Sequence, residues 1–125
     1  MKKRILCVED DPDACNLMTS ILKEYDYAIT CAASLEDAVQ KAKAEKFDLY
    51  LVDYYLPDGL GLELILSVNS DRKTPTIIVT GAASLSESQA DRFGAYGLIK
   101  KNSPTFVQDV RDEVNQILAP TEMCL

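Results

Sequence analysis

Five short apolar runs, each followed by a segment with helical spacing, leave this chain few folds to choose from. The runs at residues 4–8, 27–31, 49–52, 76–79 and 96–99 are rich in Ile, Val, Leu and Tyr and read as strands. They are apolar throughout rather than at every second residue, so both faces of the sheet they form are covered, which implies parallel strands between helices. Crossovers between parallel strands are right-handed, and the expected architecture is a doubly wound three-layer sandwich. In the first connecting segment Ala14, Leu17, Met18, Ile21, Leu22 and Tyr25 recur at helical spacing behind an Asp11-Pro12 cap. Ser34 with Asp37, and Ser84 with Glu87, open the second and fourth helices as capping boxes do. The third helix, residues 62–68, is short, and Ser103-Pro104 opens a fifth carrying Phe106, Val110, Val114, Ile117 and Leu118.

A chain of 125 residues fits one domain, expected over residues 1–119 with a short tail over 120–125. Its 20 acidic side chains against 13 basic ones give a net charge of -7, a field that repels phosphate backbones and anionic lipid. Direct nucleic-acid or membrane binding is therefore not expected. The basic start Met-Lys-Lys-Arg is followed by too short an apolar run to act as an export signal, which favours a cytoplasmic location. Cys7, Cys15, Cys31 and Cys124 form no Cys-x-x-Cys pair and there is no histidine to complete a zinc site. Three of them fall within apolar patterns and read as small core residues of a reducing cytosol.

Ligands of an open parallel sheet bind beyond the carboxyl ends of its strands. The residues expected there are Glu9, Asp10 and Asp11 after the first strand, Asp53 after the third, Thr80 after the fourth and Lys100 after the fifth. Asp11 is accounted for as a helix cap and Asp58 by the Pro-Asp-Gly turn. The gathering of Glu9, Asp10 and Asp53 has no such account, because three carboxylates at one edge repel unless a cation lies among them. Hard oxygen ligands select Mg²⁺, which shares its sphere with phosphate, while a lysine and a hydroxyl suit a transferring phosphoryl group. Asp53 would then be the nucleophile, forming an acyl phosphate.

VEDD at 8–11, LVDYYLPDGLGLEL at 51–64, PTIIVTG at 75–81 and FGAYGLIKK at 93–101 resemble the receiver domain of two-component response regulators. The resemblance implies a flavodoxin-like sheet of five parallel strands in the order 2-1-3-4-5 with five helices. It also implies that Asp53 is the phosphoacceptor, that Asp10 ligates Mg²⁺ directly, and that Glu9 orients metal-bound water. The backbone carbonyl of Tyr55 completes the metal sphere, Thr80 supplies the switch hydroxyl, and Lys100 neutralises the phosphoryl group. The implied partners are a sensor histidine kinase or histidine phosphotransfer protein and a downstream effector, in a standalone receiver or one cut from a longer protein. Such a domain catalyses only its own phosphorylation and dephosphorylation. The sequence departs from the family pattern in two places: Lys101 follows Lys100 where Pro is usual, and Gly97 stands where an aromatic switch residue is usual, three positions before the lysine. Two alternatives are a Mg²⁺-dependent phosphohydrolase of the haloacid dehalogenase type and a constitutive binding module without phosphorylation. The former needs a second Asp where Tyr55 stands, and the latter leaves the full set of site residues without a purpose.

Overall fold

The computed structural model describes residues 2–68, 74–81, 85–92 and 94–119. Five parallel strands form the central sheet: β1 (Lys3–Val8), β2 (Tyr27–Ala32), β3 (Leu49–Asp53), β6 (Thr76–Thr80) and β7 (Gly97–Lys100), in the order β2-β1-β3-β6-β7. Between β3 and β6 a two-stranded antiparallel hairpin, β4 (Tyr55–Leu56) with β5 (Gly59–Leu60), precedes α3 (Leu62–Val68). The other helices are α1 (Pro12–Leu22), α2 (Leu35–Ala44), α4 (Glu87–Arg92) and α5 (Phe106–Leu118). Counting only strands of the central sheet, this is the expected 2-1-3-4-5 order.

Period-two alternation along the strands divides the core into two layers. Leu6, Val8, Tyr50, Val52, Ile78 and Leu98 face one side, against Ala38 and Ala42 of α2, Leu64 and Ile65 of α3, and Ala90 of α4. Ile5, Cys7, Leu49, Leu51, Ile77, Val79 and Ile99 face the other, against Met18, Ile21 and Leu22 of α1 and Val110, Val114 and Leu118 of α5. Burying a Leu or Ile side chain stabilises by about 1.5–3 kcal/mol, so both layers are needed to hold the sheet. On α1 the buried stripe runs through Cys15 rather than Leu17, which is 47% exposed.

The caps explain where two helices begin. The Asp11 carboxylate accepts from the Asp13 amide with Pro12 at the first helical position, and Ser34 Oγ accepts from the Asp37 amide. Ser84 lies outside the described residues. Ser103-Pro104 does not open α5 directly but forms a turn, with the Phe106 amide bonded to the Ser103 carbonyl, and the helix starts at Phe106. The last strand also begins later than its apolar pattern suggests. Tyr96 is 55% exposed, and pairing starts at Gly97 opposite Ile77 and runs to Lys100 opposite Thr80.

The cysteines depart furthest from expectation. Cys15 of α1 and Cys31 of β2 are joined in a disulfide, their Cα atoms 6.7 Å apart, whereas Cys7 is a buried free thiol. Burial pushes the Cys7 thiol up to about 12, aided by the charge of Glu9. Cys124 lies outside the described residues.

Candidate functional site

The order in which strands are added to the sheet reverses at β1, because β2 lies on one side of β1 and β3 on the other. The crevice at the carboxyl end of this switch point is where a doubly wound sheet presents its ligand site. Val8 pairs with Val52, so Glu9 and Asp53 leave the sheet side by side, and Asp10 follows at the start of the loop to α1. Carboxylate oxygens of Glu9, Asp10 and Asp53 lie within 4.8 Å of one another. Glu9 is buried, Asp53 half-buried and Asp10 exposed, so the cluster opens to solvent through Asp10.

The loop carrying these acids is fixed by backbone hydrogen bonds. The Glu9 amide donates to the Ala32 carbonyl at 2.9 Å, and the Cys15 amide donates to the Asp11 carbonyl at 3.1 Å. Glu9 Oε1 accepts from the Asp11 amide at 3.3 Å. Beyond β3 the Gly61 amide donates to the Tyr54 carbonyl at 2.7 Å, folding the hairpin back beneath the site. A Cβ at Gly61 would run into the carbonyl oxygen of Asp53, so this close approach requires glycine. Asp58 accepts from the Leu35 and Glu36 amides at 2.8 and 2.9 Å and ties the same hairpin to α2, a structural part in keeping with its turn.

The positive charge at the cluster belongs to Lys101. Its Nζ donates to Glu9 Oε2 at 2.7 Å and to Asp53 Oδ2 at 3.3 Å. Lys100, expected in this place, instead directs its ammonium to the carbonyl of Leu85. The reason is register: Lys100 is still a strand residue paired with Thr80, while Lys101 has left the strand, its amide held at 2.8 Å by the Thr80 carbonyl. Counting back three positions from Lys101 reaches Leu98, not Gly97, and the residue after it is Asn102. Leu98 packs in the layer shared by α2, α3 and α4, whereas Gly97 faces the Glu113 carboxylate. Pairing that starts at Gly97 rather than Tyr96 thus puts Lys101, and not Lys100, beside the acidic cluster.

Burial lifts the Glu9 carboxyl above its ordinary range, and the charge of Asp53 adds to this against the opposing hydrogen bond from Lys101. For Lys101, burial pulls downward, but Glu9 and Asp53 outweigh it and hold the ammonium above the usual lysine range. Three carboxyl groups against one ammonium give a partly desolvated crevice more acidic than basic charge. That charge, with an all-oxygen donor set, fits Mg²⁺. Thr80 is fully buried at the end of β6, next to this edge. Tyr55 lies in β4 with its ring 57% exposed and edge-on to Tyr54, the centroids 4.7 Å apart.

Fold and site together define a doubly wound α/β protein with an acidic cluster and a lysine at its switch point. Residues 5–113 match the response regulator receiver domain family. The response regulator protein PilR of Pseudomonas aeruginosa is 31% identical over 102 residues, covering 80% of this chain and 23% of PilR. A CheY-like receiver domain structure from Methanospirillum hungatei superposes with a TM-score of 0.82 at 32% identity, covering 93% of each chain. The response regulator TrrA of Thermotoga maritima, solved in complex with Mg²⁺ and BeF, superposes at 0.81 with 26% identity, covering 93% of this chain and 99% of that one. This chain belongs to the response regulator receiver domain family of two-component signalling. It spans 23% of the length of PilR, 10% of the histidine kinase BarA of Shigella flexneri and 52% of the response regulator ArlR of Staphylococcus aureus. Among the described residues no helix is long and apolar enough to cross a membrane.

Proposed function

We propose that the chain accepts a phosphoryl group on Asp53 from the phosphohistidine of a sensor kinase or phosphotransfer protein, with Mg²⁺, and thereby switches its binding to a cytoplasmic effector. The observation that carries this reading is the lysine bridge across two members of the acidic cluster, Lys101 to Glu9 and to Asp53. A structural ion pair needs one carboxylate for one ammonium; here two carboxylates meet it and a third, Asp10, lies within 4.8 Å of both, an excess of acid that calls for a further cation. Glu9 and Asp10 with Asp53, and the backbone carbonyl of Tyr55, would hold Mg²⁺, whose chemistry here is neutralisation of phosphoryl oxygens.

One Asp53 carboxylate oxygen forms the bond to phosphorus while the bond from phosphorus to the donor imidazole nitrogen breaks, and the imidazole keeps that electron pair and takes a proton. Lys101, in the role expected for Lys100, exchanges part of its contact with Glu9 and Asp53 for the incoming phosphoryl oxygens. Thr80 offers a hydroxyl from the end of β6 to a phosphoryl oxygen. The only turnover is the domain's own: phosphorylation of Asp53 and its later hydrolysis. With Tyr55 two residues after the nucleophile there is no second Asp to act as the acid and base of a phosphohydrolase. Residues 1–119 act as the receiver unit.

Incubation with Mg²⁺ and acetyl phosphate, read by intact mass, tests the reading. One added phosphoryl group is expected, absent without Mg²⁺ and absent in Asp53→Asn. Undiminished labelling of Asp53→Asn would place the acceptor elsewhere, and multiple turnover of acetyl phosphate with no phosphoprotein would favour the phosphohydrolase.

A further inference from the structure

We propose that Cys15 and Cys31 form a reversible thiol–disulfide site that clamps the acidic loop, a regulation that rests on the metal-binding role just assigned to Glu9 and Asp10. The two sulfurs come from different elements, Cys15 one turn into α1 and Cys31 next to the end of edge strand β2. Their Cα separation of 6.7 Å lies within the range a disulfide spans without backbone movement. Cys15 is buried while Cys31 is exposed, which gives the pair one sulfur that a soluble disulfide can reach and one that is protected. Lys41 Nζ donates to the Cys31 carbonyl at 2.9 Å and is paired with the Asp37 carboxylate at 2.9 Å, which ties the end of β2 to α2 beside the cysteine pair.

Position makes the pair more than a staple. The acidic segment from Glu9 to Asp11 is hydrogen-bonded at both ends to the pieces the disulfide joins: the Glu9 amide to Ala32, next to Cys31, and the Asp11 carbonyl to Cys15 itself. Cys15, Cys31, Glu9 and Asp10 line one open cavity of about 300 Å³. Closing the bond therefore brackets the loop, and opening it frees α1 from β2 beside Asp10. A bond of this kind in a reducing compartment is typically transient and redox-sensing rather than permanent.

The co-reactant is glutathione disulfide. The Cys31 thiolate attacks one of its sulfurs, forming a mixed disulfide and releasing one glutathione thiolate. The Cys15 thiolate then attacks the Cys31 sulfur and releases the second. Overall two protein thiols lose two protons and two electrons, and one glutathione disulfide becomes two glutathione thiols. Excess glutathione runs the same steps backwards.

The test uses the full chain equilibrated across ratios of reduced to oxidised glutathione, acid-quenched, alkylated and mapped by mass spectrometry. A single transition between the dithiol and a Cys15–Cys31 cross-link is expected, with Cys7 alkylated only after unfolding. Thiols that stay reduced throughout, oxidation that stops at a mixed disulfide on Cys31, or a bond that survives excess glutathione in the native protein would each overturn the redox site. Mg²⁺ titration of the two forms by calorimetry reads the consequence: the oxidised form should bind about tenfold more tightly, as for loss of a support to metal ligands. Cys31→Ser should match the reduced form under either condition. Equal affinities would overturn the clamp, and no Mg²⁺ binding by either form would overturn the metal site and the clamp with it, while the mapping still decides the redox couple.

Discussion

The Lys101 ammonium does two opposed things at the cluster: it relieves repulsion between Glu9 and Asp53, and it occupies charge that a divalent ion would otherwise meet. Its removal should therefore separate metal binding from phosphoryl transfer. Lys101→Ala is expected to bind Mg²⁺ more tightly, because a positive charge 3.3 Å from an Asp53 oxygen is gone. The same variant should accept phosphate from acetyl phosphate more slowly, by roughly tenfold or more, the scale of losing one preorganised charge at the reacting group. Lys100→Ala, whose ammonium serves the Leu85 carbonyl, should stay within about twofold of the parent in labelling rate. Calorimetry and time-resolved intact mass on the two variants read both quantities. A loss confined to Lys100→Ala would return the role to Lys100, and equal loss in both would overturn the assignment to Lys101 alone.

Among the elements, α2 shows how the site's turn is tied to the rest of the fold. Ser34 caps the helix locally, and Asp58, arriving from the hairpin after β3, accepts two more of its first free amides. The Glu36 amide and then the Leu35 amide hold the Asp58 carboxyl below the ordinary aspartate range. A depressed carboxyl contributes stability that is present above its unfolded value and is lost as pH falls through its folded value. Asp58→Asn should thus lower the urea midpoint at pH 7 and equally at mildly acidic pH, with the gap to the parent closing only below the usual aspartate range. A gap that closes near neutrality would mean another group is responsible.

The same elements show which features of the chain could be read before the fold was known. Strands buried on both faces announce themselves by unbroken apolar runs, and the β1, β3 and β6 cores were legible for that reason. Their ends were not, because a strand stops where its neighbour's register stops: Tyr96 has strand chemistry and its amide donates to the Thr76 carbonyl, but paired register begins only at Gly97, and that one-residue shift puts Lys101 rather than Lys100 beside the acids. The hairpin β4–β5 is two residues a side, too short to carry a period. Glu9, Asp10 and Asp53 were legible because charges closing apolar runs have few structural uses. The pairing of Cys15 with Cys31 was not, since only the packing of α1 beside β2 brings them together.

Across the whole molecule, three of the 20 acidic side chains gather in one crevice, whose deepest acid, Glu9, is 8% exposed. Repulsion among the three carboxylates opposes folding whenever no cation is bound, so the site is held at the expense of the fold's stability. Asp10 allows a direct test because it is the exposed member of the cluster. Asp10→Asn should melt at a higher temperature than the parent in the presence of a chelator, since one of the repelling charges is gone. In Mg²⁺ the order should reverse. Binding to the folded state alone stabilises by RT ln(1 + [L]/Kd), about 1.4 kcal/mol at ten times the dissociation constant, and the variant, having lost a ligand, should gain little of it. Differential scanning calorimetry of both proteins in chelator and in Mg²⁺ gives all four values. If Asp10→Asn melted below the parent in chelator, the cluster would be a favourable structural network; equal gains from Mg²⁺ would show that the cation binds elsewhere.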